Sequence, residues 1–440
     1  MTFASPLAPL TVPALPLTPY ILERAGRLGD KVAFIDGSTG QATTYGELED
    51  AVRRHAGGWL ARGLAKGDVV AVMAPNCPEY GVVFHAVALA GGVLTTINPT
   101  YTPGEVHHQL VDSGATRLVT IPPFLAAARE AIVGSAVTEV FVIGDADGAT
   151  SIAAVSGPPL AAQVPVELDD VVALPYSSGT TGLAKGVMLT HRNLVSNVEQ
   201  ALATVDAGED DAFVAVMPFF HIYGMQVLMN LGLRAGATIV TMPRFDLERF
   251  LSLHQEHQLT RAFVAPPMVV ALAKHPMVDD YDLTALRWIL SGAAPLSADL
   301  AIECGRRLRC EVVQGYGMTE LSPVSHATPT GRCKPGSAGV TVPNTEVEIV
   351  DPATGSRLGV DQDGEVWVRG PQVMKGYLNN DAATKATIDE DGWLHTGDIG
   401  EFDGDHLRIT DRKKDLFKTS GGKYIAPSAI ESQFKAICPL

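Results

Sequence analysis

Residues 171–187 read Val171-Val-Ala-Leu-Pro-Tyr-Ser-Ser-Gly-Thr-Thr-Gly-Leu-Ala-Lys-Gly-Val187, an apolar run followed by a loop rich in glycine and hydroxyl side chains. The apolar run predicts a buried strand. In the loop, glycines let backbone N–H groups close around a phosphate, the hydroxyls add donors, and Lys185 adds positive charge. The segment therefore predicts a strand that leads into a polyphosphate-binding loop. Because Gly186 follows the lysine, the loop differs from the G-x-x-x-x-G-K-[ST] nucleotide loop, which disfavours a phosphotransferase of that type.

Outward from this segment, helix-like and strand-like runs alternate, which favours parallel βαβ winding. A first block predicts helices over residues 45–62, 79–90 and 103–113 and strands over residues 69–73, 92–97 and 116–121. A second block of the same kind runs from residue 171 to about 316. Between residues 341 and 369 the runs become short and alternating, which predicts a small antiparallel sheet or barrel. The predicted fold class is α/β, with two βαβ-wound subdomains plus a small β-barrel subdomain.

The chain has 440 residues and a mass of 46.5 kDa, which is too much for one compact core. We expect a body over residues 1–411, divided into subdomains of roughly 1–170, 171–335 and 336–411. Residues 144–164 are rich in Ala, Gly, Ser and Pro and are the predicted linker. Residues 412–440 are predicted to form a hinge and the start of a further domain, with a short amphipathic helix over residues 428–437.

Composition and charge exclude several classes of partner. The net charge of −16 and the pI near 5.2 predict repulsion from nucleic acid and from anionic lipid surfaces. The five cysteines are scattered and show no CxxC spacing, so neither a disulfide framework nor a zinc site is indicated. The proline-rich amino terminus lacks the basic opening of a signal peptide, and no apolar run reaches the ~18 residues of a membrane helix. We therefore expect a cytoplasmic protein without a membrane span.

Four further segments, in the same order along the chain, carry a family resemblance. They are Ser291-Gly-Ala-Ala-Pro295, Gln314-Gly-Tyr-Gly-Met-Thr-Glu320, Trp393-Leu-His-Thr-Gly-Asp398 and Asp411-Arg412. Together with the glycine-rich loop, they resemble the motifs of the acyl-adenylate-forming superfamily, which includes acyl-CoA ligases, peptide-synthetase adenylation domains and firefly luciferase. The resemblance implies that the enzyme uses ATP and Mg²⁺ to join a carboxylic acid to AMP, releases pyrophosphate, and then forms a thioester with coenzyme A.

The resemblance also implies roles for single residues. Lys185, His221, Thr319 and Glu320 would be catalytic, and Glu320 would also be the Mg²⁺ ligand, since a carboxylate oxygen suits an ion shared with substrate phosphates. Asp398 would accept hydrogen bonds from a ribose diol, and Tyr316 would stack on adenine. The full expected ATP/AMP-binding set is Ser177, Ser178, Gly179, Thr180, Thr181, Gly182, Ser291, Gly292, Ala293, Ala294, Gln314, Gly315, Tyr316, Gly317, Met318, Thr319, Asp398 and Arg412.

The acid pocket is predicted from Pro218-Phe-Phe-His-Ile-Tyr-Gly-Met225, which resembles the corresponding segment of 4-coumarate–CoA ligases. By that resemblance His221 would border the carboxylate, Tyr223 would line the acyl pocket, and Lys274 would face the far end of the substrate. Val227, Met268, Met318 and Val324 would make this pocket an apolar tunnel, which favours a hydrophobic aryl or fatty acyl acid over an amino acid. The expected pocket residues are His221, Tyr223, Val227, Met268, Lys274, Ala293, Gly315, Met318, Pro323 and Val324.

The tail departs from the 4-coumarate branch. Residues 413–427 resemble the hinge and following loop of long-chain fatty acyl-CoA ligases, and Lys414 aligns with the hinge position. In the family a mobile domain follows the hinge and carries a late lysine used in adenylation, and only the opening of such a domain falls within the 440 residues. From the sequence, three functions therefore stay open. The protein is a CoA ligase, an acyl-AMP ligase that supplies a carrier protein or second ligase, or a nucleotide-binding protein without catalysis.

Overall fold

A computed structural model describes residues 1–177 and 184–413, together with the backbone of residues 417–418 and 424–425. The α-helices within these residues are α1 (Leu17–Ile21), α2 (Tyr45–Ala61), α3 (Pro78–Leu89), α4 (Pro103–Ser113), α5 (Leu125–Ala131), α6 (His191–Val205), α7 (Leu231–Ala235), α8 (Leu247–His257), α9 (Pro266–Lys274), α10 (Ala298–Leu308) and α11 (Asp381–Thr387). A π-helix over Tyr223–Asn230 leads directly into α7.

The strands are β1 (Thr2–Ala4), β2 (Val32–Asp36), β3 (Ala42–Thr44), β4 (Val69–Met73), β5 (Val93–Thr96), β6 (Arg117–Thr120), β7 (Glu139–Val142), β8 (Thr150–Ser151), β9 (Val171–Ser177), β10 (Lys185–Thr190), β11 (Ala212–Ala215), β12 (Thr238–Thr241), β13 (Arg261–Val264), β14 (Trp288–Ser291), β15 (Glu311–Gly317), β16 (Val324–Ala327), β17 (Val340–Thr341), β18 (Glu346–Val350), β19 (Gly364–Arg369), β20 (Gly376–Tyr377), β21 (Leu394–Asp403), β22 (His406–Arg412), β23 (Phe417–Lys418) and β24 (Tyr424–Ile425).

Two large sheets organise the described residues. The first has the order β20-β10-β9-β5-β4-β6-β7-β8, and the second has the order β1-β18-β19-β21-β22-β17-β16-β15-β14-β13-β11-β12-β2-β3. Within the first sheet, strands β4 to β9 pair with one another in parallel. Within the second sheet, strands β11 to β15 also pair with one another in parallel. The α/β fold class with two βαβ-wound layers is thus confirmed.

Alternate residues of single strands show which faces the helices cover. In β4, Val70 and Val72 enter the large core between the two sheets, where α2, α3 and α6 pack. Ala71 and Met73 point to the other face and pack with residues of α4 and α5. A third core lies on the outer face of the second sheet, under α8, α9 and α10. Strands buried on both faces need apolar residues at every position, as β4 has.

The predicted antiparallel unit is continuous with the second sheet. Strands β15 and β16 pair antiparallel, and β16, β17 and β22 carry the hydrogen bonding on into β21, β19 and β18. This part has its own apolar core, which includes Val347, Val366 and Phe402. The amino-terminal strand β1 completes its edge by pairing with β18.

Two details differ from the sequence-based prediction. Strand β9, which we assigned to the second block, pairs with β5 of the first sheet, because strand pairing joins segments distant in sequence. The predicted linker, residues 144–164, packs against α2: Ile152 and Val155 are buried in the large core, and the N–H of Gly157 donates to the carbonyl of Arg54 at 3.0 Å. A segment rich in Gly and Ala can approach a helix closely, because its side chains are small. Composition alone therefore did not show whether this segment is an exposed linker or a loop packed against α2.

Among the described helices, none combines the length and apolar character needed to cross a membrane. The predicted helix over residues 428–437 and the predicted hinge residue Lys414 lie outside the described residues. So do residues 178–183 of the glycine-rich loop, which include the predicted nucleotide-binding residues Ser178, Gly179, Thr180, Thr181 and Gly182.

Candidate functional site

A cavity of about 750 Å³ lies between the two sheets. Residues at or just after the carboxyl ends of four parallel strands line it, namely Asn98 after β5, Ser177 at the end of β9, Gly292 after β14 and Tyr316 in β15. Ligands of α/β proteins bind outside the carboxyl ends of parallel strands, because the loops there can diverge and leave a crevice. This cavity is therefore the candidate active site.

Charged and hydroxyl groups of the predicted phosphate site meet at one side of the cavity. Glu320 is buried in a short 3₁₀ turn, and its Oε1 accepts hydrogen bonds from Ser177 Oγ at 2.9 Å and from Tyr377 Oη at 2.8 Å. Lys185 begins β10 opposite Ser177, and its Nζ lies 4.4 Å from the centre of the Tyr377 ring. Thr319 lines the same part of the cavity. The structure thus brings together Ser177, Lys185, Thr319 and Glu320.

A second polar corner is built from β15, β21 and β22. Tyr316 Oη donates to Asp398 Oδ2 at 2.7 Å, and Arg412, the cross-strand partner of Asp398, approaches Asp398 Oδ1 at 3.5 Å. Burial raises the pKa of Asp398, and the Tyr316 hydroxyl and Arg412 oppose that shift. The Tyr316 hydroxyl is occupied by Asp398, so its ring is held in a fixed position beside the carboxylate that we expect to bind ribose.

His221 borders the cavity from the loop before the π-helix. His221 is exposed to the space of the cavity, and desolvation by the protein around the cavity lowers the pKa of His221. The backbone N–H of Tyr223 donates to His221 Nδ1 at 3.2 Å. In the neutral ring the proton therefore lies on Nε2, which makes that atom a hydrogen-bond donor.

The remaining wall of the cavity is largely apolar. Tyr223 packs beside Gly292, where an added Cβ would lie 3.1 Å from the tyrosine ring, and Tyr223 Oη donates to the carbonyl of Leu290 at 3.3 Å. Val227 lines the wall from the π-helix. The other apolar or small lining residues in this region are Ala201, Val205, Leu231, Phe263, Leu290, Ala293, Gly315, Met318, Pro323, Val324 and Ala327. A wall of this kind suits an apolar substrate group.

Several predicted site residues do not line the cavity. Lys274 ends α9 with its side chain 41% exposed and pairs with Glu303 at 3.3 Å, and Met268 packs in the core under α8, α9 and α10. Gln314 Oε1 accepts from the N–H of Leu296 and so supports the loop after β14. Ser291 and Ala294 belong to that strand end and loop without lining the cavity. A helix turns successive side chains by about 100°, so a sequence match does not decide which residue faces inward.

Sequence reasoning missed several residues that line the cavity, among them the polar or charged residues Tyr377, Glu365 and Lys413. Tyr377 lies between Lys185 and Glu320. Glu365 of β19 is buried, accepts the N–H of Gly397 at 3.2 Å, and pairs with Lys413 Nζ at 2.9 Å. Each is contributed by a segment distant from the residue it contacts. The glycine–tyrosine pair at residues 376–377 was the available signal for the first of them.

The donor groups fit a magnesium ion shared with a substrate. Within the described residues, no cluster of three or more His, Cys, Asp or Glu side chains could enclose a metal ion. Mg²⁺ characteristically takes one or two carboxylates and completes its shell with water and substrate phosphates. Glu320 offers such a carboxylate, since both hydrogen bonds from described residues fall on Oε1 and leave Oε2 for another partner.

Comparisons with known proteins agree with this geometry. The family model "AMP-binding enzyme" matches residues 21–378. The chain is 44% identical over 431 residues to 4-coumarate–CoA ligase 3 of Oryza sativa, covering 95% of this chain and 78% of the relative. A long-chain-fatty-acid–CoA ligase from Archaeoglobus fulgidus superposes with a TM-score of 0.86 at 28% identity, covering 93% of this chain and 86% of that one. ATP-bound MatB from Rhodopseudomonas palustris superposes with a TM-score of 0.86 at 30% identity, covering 96% and 84%.

The match to the family model extends over most of the chain, and the curated relative is similar in sequence along nearly all of it. The structural neighbours share the body of two βαβ layers and the antiparallel extension, and one of them is described as holding ATP. The chain therefore belongs to the AMP-binding enzyme family and is an acid–thiol ligase that uses ATP and Mg²⁺ to adenylate a carboxylic acid and CoA to form the thioester.

Proposed function

We propose that this cavity holds both ATP and a hydrophobic carboxylic acid, side by side. The observation that carries the proposal is that Lys185, Thr319 and Glu320 share one cavity with Asp398 and His221. In this proposal the phosphates lie between Lys185, Thr319 and Glu320, and the ribose is held by Asp398. The carboxylate of the acid lies beside His221.

The proposed reaction needs orientation and neutralisation of charge more than it needs a base, since a carboxylate is already ionised at pH 7. Lys185 supplies positive charge beside the phosphates, and Thr319 supplies a hydroxyl donor. Mg²⁺ held at Glu320 would neutralise further phosphate charge. His221 donates from Nε2 to an oxygen of the acid, which keeps that oxygen in place while the other attacks the α-phosphorus.

The acid is proposed to be aryl or fatty acyl, because the wall beyond His221 is formed by apolar residues of α6, α7, β13 and β14. The curated relative is named for 4-coumarate, whose ring carries a phenolic hydroxyl. Lys274, expected to meet such a hydroxyl, lies outside this cavity. The apolar wall favours a substrate whose far end is also apolar, such as cinnamate or a medium-chain fatty acid.

The direct test is pyrophosphate release by the 440-residue chain with ATP and Mg²⁺, over a panel of cinnamate, 4-coumarate, benzoate, hexanoate, octanoate and palmitate. We expect release with the apolar acids, and we expect acyl-AMP as the product by mass spectrometry. Formation of ADP in place of AMP would contradict the proposal, as would ATP binding without pyrophosphate release from any acid.

The roles of individual residues are tested in the same assay. Alanine substitution of Lys185, Thr319, Glu320 or Asp398 is expected to lower adenylation at least tenfold, which corresponds to about 1.4 kcal/mol of transition-state stabilisation. Lys274→Ala is the matched control on the surface. Full activity of Glu320→Ala would remove the magnesium assignment.

A carrier protein as a further partner is the finer part of the proposal. Because CoA is the acceptor of the ligase reaction, we propose that the acyl group is not also delivered to a phosphopantetheine carrier protein. Adding each acceptor to enzyme preloaded with acyl-AMP tests this, because thioester on CoA alone supports the proposal and thioester on the carrier protein contradicts it.

Domain limits and location are also proposals. We propose boundaries near residues 335 and 411, with a hinge from residue 412. The expected boundary at residue 170 is not retained, because β9 (Val171–Ser177) pairs with β5 of the first sheet. Limited proteolysis with mass spectrometry would locate the cleavable boundaries. We propose a reducing cytoplasm because Cys77, Cys304, Cys310 and Cys333 are all free thiols among the described residues. Cell fractionation tests the location.

A further inference from the structure

Tyr377 stands between the two oppositely charged groups of the proposed phosphate site. Its hydroxyl donates to Glu320 Oε1 at 2.8 Å, and the face of its ring receives the ammonium of Lys185 at 4.4 Å from the ring centre. Tyr377 also lines the cavity. One aromatic side chain therefore contacts both charged groups through different parts of its surface.

The backbone around Tyr377 is joined to both of the segments that its side chain contacts. Strand β20 pairs with β10, with Tyr377 opposite Val187, two residues after Lys185. The N–H of Leu378 donates to the carbonyl of Gly186 at 2.8 Å, and the N–H of Met374 donates to the carbonyl of Glu320 at 2.9 Å. Main-chain hydrogen bonds thus hold the backbone at Tyr377 beside the strand that carries Lys185 and the turn that carries Glu320.

The hydroxyl of Tyr377 determines how the Glu320 carboxylate is presented. Tyr377 Oη and Ser177 Oγ both donate to the same oxygen, Oε1. Two donors on one oxygen restrict rotation of the carboxylate and turn Oε2 towards other partners. A tyrosine hydroxyl ordinarily keeps its proton at physiological pH, so Tyr377 can remain a donor to the carboxylate.

The ring of Tyr377 determines where the Lys185 ammonium lies. A cation over an aromatic face is stabilised by the ring quadrupole without being neutralised. If the ammonium instead paired directly with Glu320, each group would cancel the charge that the other offers to a phosphate or to a metal ion. An aromatic side chain at this position therefore keeps both charges available.

We propose that Tyr377 is a positioning residue that holds Lys185 and Glu320 apart and fixes the carboxylate for magnesium-bound ATP. The inference rests on the proposed function of this cavity, because it takes Glu320 as the carboxylate facing the metal. Tyr377 acts through Glu320 and Lys185 and has no contact of its own with the reacting atoms in this scheme.

The test measures ATP binding by calorimetry with no acid present, once with Mg²⁺ and once with EDTA. The readout is the ratio of the two dissociation constants. Tyr377→Phe keeps the ring and removes the hydroxyl, and it is expected to reduce the advantage given by Mg²⁺ about tenfold, as for the loss of a hydrogen bond to a charged group. Ser177→Ala removes the other donor to Oε1 and should change the ratio in the same direction.

Two controls separate positioning from general damage to the fold. Tyr80→Phe removes a buried hydroxyl that lies outside the cavity and has no hydrogen-bond partner among the described residues, and it should leave the ratio unchanged. In a double-mutant cycle, Tyr377→Phe should have no further effect on the ratio in the Glu320→Gln background.

The inference would be overturned if Tyr377→Phe left the ratio of the two ATP dissociation constants unchanged. It would also be overturned if Tyr377→Phe changed that ratio by the same factor in the Glu320→Gln protein as in the protein with Glu320. Failure of the proposed function itself is seen separately, in the protein without substitutions, as the absence of pyrophosphate release with every acid or as ADP in place of AMP. A Tyr377→Leu variant, which also removes the ring, should lower the rate of pyrophosphate release more than Tyr377→Phe does, since Lys185 is then free to pair with Glu320.

Discussion

Substitution of Gly317 tests whether close backbone packing positions the residues of the proposed nucleotide site. Gly317 ends β15 and precedes Met318, Thr319 and Glu320. A Cβ added at Gly317 would lie 2.0 Å from the carbonyl oxygen of Pro323 and 2.7 Å from its carbonyl carbon. These are backbone atoms that cannot rotate away, so Gly317→Ala forces the two chain segments apart.

The size of the displacement follows from these distances. To reach the 3.4 Å of an ordinary contact, the Pro323 oxygen and Gly317 must separate by about 1.4 Å. The same oxygen accepts the N–H of Met318 at 3.1 Å, so the separation also breaks that hydrogen bond. A misplacement of about 1 Å in a catalytic group costs on the order of 100-fold in rate. We therefore expect adenylation by Gly317→Ala to fall about 100-fold.

The assay is pyrophosphate release at saturating ATP and acid, combined with thermal unfolding to show that the variant is folded. Gly104→Ala is the matched control, because Gly104 lies in the first turn of α4 and a Cβ there would meet nothing within 4 Å. That control should keep full activity and equal or greater stability. If Gly317→Ala retained more than half of the normal activity, the close packing of β15 against Pro323 would not be what positions Thr319 and Glu320.

Three further predictions concern stability and specificity. Asp211 is buried and pairs with Arg261 and Arg287, each at 2.8 Å, so Asp211→Asn should lower the free energy of unfolding by about 3–5 kcal/mol in urea titrations, without abolishing adenylation. Lys274→Ala should leave the ranking of acid substrates unchanged, because Lys274 pairs with Glu303 outside the cavity. Four buried histidines should make the protein less stable at acidic pH. In the unfolded chain a histidine takes up a proton near pH 6.5, whereas these four stay neutral in the folded protein down to a lower pH, so lowering the pH from 7 to 5 should reduce the free energy of unfolding by roughly 2 kcal/mol for each of them. Urea unfolding at both pH values measures this difference. Burial lowers the pKa to about 3 in His85 and His326 and to about 4 in His191 and His254.

Elements with local signals were predicted well. The helix predicted over residues 103–113 is α4, Pro103–Ser113, because Thr102 and Glu105 form a capping box at its start and Gly114 adopts a left-handed conformation at its end. The strand predicted over residues 69–73 is β4. Each of these signals lies within a few residues of the element it delimits.

Assignments that depend on distant contacts were predicted less well. Strand β9 has the apolar composition expected of either block, and only its hydrogen bonds with β5 decide which sheet it joins. The segment over residues 144–164 has the composition of a linker but is buried against α2 through Ile152 and Val155. Lys274 occupies a pocket position by alignment, whereas α9 directs its side chain to Glu303 at the surface.

The sequence by itself determined the alternation of strands and helices, the glycine-rich loop and the ordered motifs that place the chain in its family. Those features are local, so they can be read from neighbouring residues. Only the tertiary structure decided which side chains face one another in the cavity. Ser177 and Glu320 are 143 positions apart, and Tyr377 and Glu320 are 57 apart. These hydrogen bonds form only when the two sheets pack against each other and bring segments that are distant in sequence within a few ångströms, and no local sequence pattern encodes that approach.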